Sequence, residues 1–404
     1  MPTRWVIGLS SGSSADGVDA ALLETTGTGL NLRVRLLHAL HQPYQDELRD
    51  SIRRVSLQAS EVRETALLHR LLGETFALAA TAVADQASMS LQKVLCIGCP
   101  GHTVWHEADG RFPSTLALGM TAVLAERLGV TVVSDFRARD VAAGGQGSPI
   151  AALTSYLLFR HPIESRVLLH LGGLARVVYL PANCRLSEVV GFEAAPCNTL
   201  LNALMRQLTG GRESFDQGGK HAVQGKCLEP LLAEWLGHPF LARRPPKSLP
   251  AHLFAESFAA EAMRRARQLG GSLHDLLCTA THFVARGIGS AVQSFLPPDQ
   301  PLDRVLLSGG GVRNGLLWNL LGQQLPGVLL VRTDEVGVPA HVRKALSFGM
   351  VAALTLDGVA ANVPSATGAA GARLLGSITP GSAANWARCL AWMTAMLPAD
   401  NEAA

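Results

Sequence analysis

The chain reads as an α/β protein of two lobes, each a mixed β-sheet flanked by helices. Three observations point that way. Its 404 residues exceed what one hydrophobic core usually serves. A pattern of strand, glycine turn and strand opens the chain and returns about 160 residues later. Helical patterns follow each hairpin, so the halves are expected to be alike and to face each other across a ligand cleft.

Composition narrows the class before any motif is read. Hydrophobic residues make up 48% and charged residues 17%, the balance of a well-buried globular enzyme rather than a disordered chain. The formal charge of +3 is too small to point to nucleic acid. No apolar run reads as long enough to cross a bilayer, and polar residues 10–16 interrupt any signal core after Arg4. A soluble cytoplasmic protein, with no nucleic-acid or membrane partner, is therefore expected. Seven dispersed cysteines fit reduced thiols. Cys96 and Cys99 form a lone pair without a second pair at zinc spacing, and Cys96 is expected in a buried strand.

The first hairpin joins apolar strands at 5–9 and 18–23. Its tip carries backbone N–H groups, the hydroxyls of Ser10, Ser11, Ser13 and Ser14, and the carboxylate of Asp16. Those groups suit a nucleoside triphosphate, with donors on the phosphate oxygens and the carboxylate on magnesium; they suit an ordinary hairpin tip equally. No Gly-Lys-Ser/Thr follows, so this is not a Walker A loop.

Residues 31–40 alternate as a third strand, and 46–56 and 61–87 read as helices, the second packing through Leu67, Leu71, Phe76 and Leu78. A buried strand at 93–98 delivers a polar loop at 99–106, where open α/β sheets bind ligands. His102 and His106 are four apart, but Pro100 and Gly101 argue against the helix that a metal pair would need. A helix is expected over 114–128, capped by Ser114 or Thr115 and ended by Gly129, with a strand at 131–134. Residues 135–149 place Asp135, Arg137, Arg139 and Asp140 before a glycine-rich run. This reads as a ligand-facing hinge between the lobes rather than a solvated linker.

The second hairpin, 166–181, turns at Gly172 and Gly173. Glu193 is expected on a loop ahead of a helix at 198–208, with Asn198 as its N-cap. Residues 215–219 form an acidic turn and 244–248 a stiff, basic surface segment; helices follow at about 254–269 and 274–295. A strand at 303–307 runs into Gly309, Gly310 and Gly311, then a helix at 315–325, so a flat base can approach the backbone unobstructed. A strand at 328–331, a turn at 334–339 and a helix at 341–354 follow. The tail is expected to return to the first lobe, with 401–404 frayed. The lobes are thus drawn as 1–136 with about 358–404, and 137–357.

Taken in order, these motifs resemble the anhydro-N-acetylmuramic acid kinase family of the actin-like sugar-kinase superfamily. The family's Gly-Thr-Ser-Leu-Asp-Gly-Val-Asp stands here as Gly12, Ser13, Ser14, Ala15, Asp16, Gly17, Val18 and Asp19. Its Asp-Phe-Arg-x-x-Asp-x-Ala-Ala-Gly-Gly-x-Gly-Ala-Pro stands nearly intact at 135–149. Its Gly-Gly hairpin is Gly172 and Gly173, its Pro-Pro-Lys-Ser is 245–248, and its Gly-Gly-Gly-x-x-Asn is 309–314. The resemblance runs from about residue 5 to 355. It implies an actin-like fold of duplicated ribonuclease-H-like domains that uses ATP and Mg²⁺ on a small anhydrosugar. By that resemblance both hairpins grip the phosphates, adenosine lies near Gly309, Gly310 and Gly311, and Asp16 holds Mg²⁺. Arg137 would bind the sugar and Thr103 line its pocket. Family members add water at C1, opening the 1,6-anhydro ring, and phosphorylate O6. Their base is the Asp of Gly-Phe-Asp-Thr-Gly-Pro-Gly-Asn, aligned with Glu193. A homodimer is compatible with the resemblance.

The departures cluster at the site. Glu193 adds one methylene, about 1.5 Å of reach. Ala194, Ala195 and Cys197 replace Thr, Gly and Gly; His170 and Arg176 replace two Asn. Pro100 and His102 replace His and Gln, and Lys344 replaces a Glu. The expected function is an anhydrosugar kinase in peptidoglycan recycling. The alternatives are a catalytically impaired relative that binds nucleotide or sugar, and a plain hexokinase-like transfer without ring opening.

Overall fold

The computed structural model describes residues 3–57, 60–297 and 300–396; the expected fraying of 401–404 lies outside them. The strands, in chain order, begin with β1 (Thr3–Ser11), β2 (Gly17–Thr26), β3 (Arg33–Pro43), β4 (Val94–Cys99), β5 (His102–Glu107), β6 (Ser114–Leu118) and β7 (Thr131–Ser134). Then come β8 (Arg166–Leu171), β9 (Leu174–Leu180), β10 (Val190–Pro196), β11 (Arg304–Ser308), β12 (Leu329–Arg332) and β13 (Ser377–Thr379). The chain divides into two compact units, residues 1–158 with 342–404, and residues 159–341.

The first unit holds a sheet ordered β13-β7-β4-β1-β2-β3. β1, β2 and β3 form an antiparallel meander, and β4 and β7 extend it in parallel from β1. The second unit holds β10-β9-β8-β11-β12. Here too a three-stranded meander, β8 to β10, is followed by two parallel strands added beside its first member. The duplication suggested by two glycine hairpins is therefore repeated in strand order and direction. Each sheet has its own core. In the second unit it gathers Leu169, Val177, Phe192, Phe283 and Leu307. In the first it gathers Ile7, Leu9, Leu22, Phe76 and Ile97.

The helix Val62–Gln86 packs through Leu68, Leu72, Phe76, Ala80 and Val83, a spacing of three to four residues. Leu67, Leu71 and Leu78, expected in that face, are 55%, 51% and 64% exposed, so the apolar stripe is turned by about one residue. Contrary to expectation, the same helix is long and apolar enough, by length and composition, to cross a membrane; its buried stripe belongs to the core of the first unit.

Several other elements differ from expectation for identifiable reasons. Residues 114–118 form β6, not a helix, and pair with β5 in a two-stranded ribbon. Gly119, at φ +135°, separates that strand from the shorter helix Thr121–Leu128; a Cβ there would lie 2.5 Å from Phe76. Gly129 ends this helix as expected, at φ +63° with its N–H on the Ala125 carbonyl. Residues 102–107, expected as loop, are β5. Residues 135–149 carry the helix Ala138–Ala142 and stay within the first unit, so they do not bridge the two. The helix Arg343–Leu356, drawn with the second lobe, belongs to the first unit, where it packs on β1 and β4. Glu193 sits within β10 rather than on a loop. Asn198 lies inside the helix Asn198–Thr209 and donates from Nδ2 to the Leu171 carbonyl, while Cys197 takes the cap position.

The segment 244–248 is a surface strap only over its first three residues: Arg244 and Pro246 are exposed, whereas Lys247 and Ser248 are buried. Lys247 is fully buried, donating to the carbonyls of Phe240 and Leu241 at 3.0 and 3.2 Å. Its ammonium lies 4.5 and 4.7 Å from the ring centroids of Phe240 and Phe295. Burial, aided by Arg243, pulls the Lys247 ammonium down to about 8. Cys96 is fully buried in β4, as expected.

Candidate active site

In the first unit the three parallel strands finish at Ser11, Cys99 and Ser134. Open α/β sheets bind ligands beyond such carboxyl ends. After β1 comes the turn at 12–16, closed by the Ala15 N–H on the Gly12 carbonyl at 3.0 Å, with Ala15 at φ +50°. Ser14 Oγ donates to Asp16 Oδ1 at 2.8 Å, and Asp16 itself is exposed. The predicted set divides at this point. Ser13 and Asp16 are exposed and Gly12 and Ser14 half-buried in the turn, whereas Ala15, Gly17 and Val18 are buried. Gly17 is required by packing: a Cβ would stand 2.3 Å from the Gln42 carbonyl oxygen. Asp19 pairs with His41 Nδ1 at 2.8 Å.

Behind the turn lies a network that sequence reasoning missed. Ser11 Oγ accepts from the Tyr44 hydroxyl and hydrogen-bonds His102 Nδ1, both at 2.7 Å. His102 is 3% exposed, and burial, then the Lys344 ammonium, press it down to about 4 against the opposing pull of Asp16. Lys344 is brought to the same place: a Cβ on Gly12 would lie 4.0 Å from its Nζ. A fixed cation thus adjoins the turn where phosphate oxygens are expected.

After β7 come Asp135 and Arg137. Arg137 Nη1 donates to the Gly147 carbonyl at 2.8 Å. The Gly147 N–H in turn donates to Asp140 Oδ2 at 2.7 Å, and Asp140 Oδ1 accepts from Asn362 Nδ2 and Thr367 Oγ1, each at 2.8 Å. A Cβ on Gly147 would lie 3.0 Å from His106 Cε1 and 3.6 Å from Arg137 Cβ, so the Arg137 loop lies against β5, which carries Thr103. Arg137 thus follows the carboxyl end of β7, and Thr103 lies in the separate β5–β6 ribbon that follows β4.

The second unit repeats this plan with different chemistry. Gly172 and Gly173 turn after β8, and Gly309, Gly310 and Gly311 follow β11, its parallel neighbour. The two glycine turns touch: a Cβ on Gly309 would lie 2.7 Å from the Leu171 carbonyl oxygen, and one on Gly311 would lie 2.7 Å from Leu171 Cβ. The backbone N–H groups of Cys197, Asn198 and Thr199 donate to the Gly172 and Gly173 carbonyls, so the first amides of that helix hold the turn. His170 Nδ1 and Ser308 Oγ, 3.1 Å apart, join the two strands beneath.

Glu193 lies a few residues back from this end of β10, 1% exposed. Its Oε1 accepts from Arg176 Nε and its Oε2 from the Leu249 N–H, both at 2.7 Å. Among the described residues no group of three or more His, Cys, Asp or Glu side chains could hold a metal. Magnesium needs no such cage, because it retains water and takes one or two carboxylates plus phosphate oxygens. The exposed Asp16 carboxylate fits that mode.

A meander of three strands extended by two parallel ones, occurring twice, with glycine turns at the carboxyl ends, defines the actin-like class of duplicated α/β folds. Comparison with known proteins narrows the class. A family model, anhydro-N-acetylmuramic acid kinase, matches residues 4–381. A protein of that name from Caldanaerobacter subterraneus subsp. tengcongensis is 34% identical over 383 residues, covering 93% of this chain and 97% of its own. One from Acaryochloris marina is 37% identical over 379 residues, covering 92% and 99%. The chain belongs to the anhydro-N-acetylmuramic acid kinase family.

Proposed function

We propose that the protein is an ATP-dependent kinase of 1,6-anhydro-N-acetylmuramic acid, opening the 1,6-anhydro ring with water and phosphorylating O6 in peptidoglycan and amino-sugar recycling. The observation that carries this reading is the family match across residues 4–381. In bond terms, a water oxygen attaches to C1, the C1–O6 bond breaks, and O6 takes the γ-phosphoryl group of ATP, releasing ADP. Glu193 accepts the proton of that water as general base; its support is a carboxylate immobilised by two donors. Arg137 and Thr103 hold the sugar. Donors at Gly12, Ser13 and Ser14, the Lys344 ammonium and the turn at Gly172 and Gly173 serve the phosphates, and Gly309, Gly310 and Gly311 take the adenosine. Asp16 is the proposed Mg²⁺ ligand; the ion, when bound, neutralises charge on the phosphate oxygens. A reducing cytoplasmic setting agrees with seven cysteines that form no disulfide.

The test is ADP release by purified protein with MgATP and a panel of anhydrosugars. Turnover is expected with 1,6-anhydro-N-acetylmuramic acid, yielding a 6-phosphate with a free C1 hydroxyl, and Glu193→Gln is expected to lower it about a thousandfold, to a small residual rate. ATP binding without turnover on any anhydrosugar would refute the kinase reading. Full turnover by Glu193→Gln would remove Glu193 from the chemistry.

A further inference from the structure

Glu193 is held in an unusual way for a group that must meet a water. It stands directly opposite Arg176 across the antiparallel β9–β10 pair. The register slips just after it, so that Ala195 faces Ala175 and Ala194 is the extra residue of a bulge. Bulges re-aim the side chains beside them. β10 is also an edge strand of its sheet, and on its outer side the segment around Lys247 takes over the pairing. The Glu193 N–H donates to the Lys247 carbonyl at 3.1 Å, and the Leu249 N–H returns to Glu193 Oε2 at 2.7 Å. Arg176 supplies the third restraint, through Nε on Oε1 at 2.7 Å. The Arg176 side chain is 19% exposed against 1% for Glu193, so the guanidinium is the outer member of the pair.

We propose that Arg176 is a positioning residue for the reaction: its guanidinium locks the rotation of the Glu193 carboxylate, so that the longer acid presents one fixed oxygen geometry to the water it activates. The inference rests on the reading of Glu193 as general base. A glutamate has one more rotatable bond than an aspartate, and a misplacement of about 1 Å at a catalytic base costs roughly a hundredfold in rate. Rotation about the last bond carries both oxygens together, so the Leu249 N–H on one oxygen resists it from one side. The guanidinium on the other oxygen resists it from the opposite side, and the plane is pinned between the two.

The test is steady-state kinetics on the full chain for Arg176→Lys, Arg176→Gln, Glu193→Gln and the double variant Arg176→Gln/Glu193→Gln, with melting temperatures for all four. Arg176→Lys keeps a cation beside the buried carboxylate and is expected to fold with its kcat lowered about tenfold, while KM for ATP stays within about twofold. Arg176→Gln is expected to lose about a hundredfold in kcat. In the Glu193→Gln background the same substitution is expected to change the residual rate less than about twofold, because Arg176 acts only through that carboxylate. A merely structural Arg176 would instead lower the rate equally in both backgrounds, and that result overturns the proposal. So does wild-type kcat in both Arg176 variants when Glu193→Gln is reduced to its residual rate, an outcome that leaves the base assignment standing. Wild-type turnover by Glu193→Gln removes the base assignment and this inference together.

Discussion

Gly8→Ala tests how the first unit holds the turn proposed to bind phosphate. Gly8 and Gly98 are register partners on the parallel strands β1 and β4. The helix Arg343–Leu356 lies directly on them, backbone against backbone. A Cβ on Gly8 would stand 1.9 Å from the Ala345 carbonyl oxygen and 2.6 Å from the Gly349 nitrogen, and one on Gly98 would stand 2.1 Å from the Phe348 oxygen. Ordinary contact begins near 3.4 Å, so a single methyl must drive the helix off the sheet by about 1.5 Å. No flexible side chain can yield instead. The cost belongs at the upper end of overpacking, about 3 kcal/mol. In a unit of about 220 residues that corresponds to a melting temperature lowered by roughly 6–12 °C. The displacement has a functional readout, since Lys344 sits in the first turn of this helix with its ammonium beside Gly12. Calorimetry with ATP and sugar titrations is therefore expected to show a lower melting temperature and a raised KM for ATP. Lys344→Met should reproduce the second effect without the first. Gly322→Ala is the control: its Cβ would find only Leu330 Cδ1, at 3.8 Å inside the helix Gly315–Gln324, and should stabilise by about 0.5–1 kcal/mol. A Gly8→Ala protein that melts within about 2 °C of wild type would refute the packing argument.

Two other perturbations follow from buried polar groups of the same unit. Asp140→Asn offers one carbonyl where three donors converge, those of Gly147, Asn362 and Thr367, so a donor faces the new NH₂ group at a cost of about 3 kcal/mol. Because Gly147 anchors Arg137, KM for the sugar should rise with the loss of melting temperature, and unchanged values of both would dismiss the linkage. His102 gives a pH signature. Its folded value is near 4 and its ordinary value 6.5, so the unfolded chain binds the proton first as pH falls. Stability from this group is full above about 6.5, declines between 6.5 and 4, and is about 2 kcal/mol lower at pH 5. Melting curves at pH 7 and 5 should draw closer together in His102→Gln; an unaltered gap would clear His102 of the effect.

What could be read from sequence divides by the range of the forces involved. The glycine hairpins, the strand into Gly309 and the Gly129 stop were legible because turn geometry is decided by a few adjacent residues. The region 114–118 was not, because Ser114, Thr115 and Leu116 fit a helical start as well as a strand, and only the ribbon partner β5 decides. Lys247 follows two prolines and looks solvated; the two carbonyls and two rings that enclose it become neighbours only after folding. Arg176 and Glu193 each stand out in the sequence as departures from the family pattern. That they compensate each other depends on a cross-strand register with a bulge, which local sequence does not encode.

The duplication itself argues for how labour is divided. The two units share strand order, yet the first hairpin turns through five residues ending in Asp16 and the second through Gly172 and Gly173 alone. A two-residue glycine turn has only backbone to offer, whereas the longer one presents hydroxyls, a carboxylate and, through the helix Arg343–Leu356, a lysine ammonium. The proposed assignment accordingly gives metal and charge handling to the first turn and close backbone approach to the second. The acid follows the opposite rule. Asp16 is exposed and local to its turn, while Glu193 is buried in a strand and held from β9 and from the segment around Lys247. An exposed carboxylate can exchange water for a metal ion, and a clamped one can serve a single proton transfer. Under the proposed assignment, the same side-chain chemistry is sorted into two duties by how tightly the fold grips it.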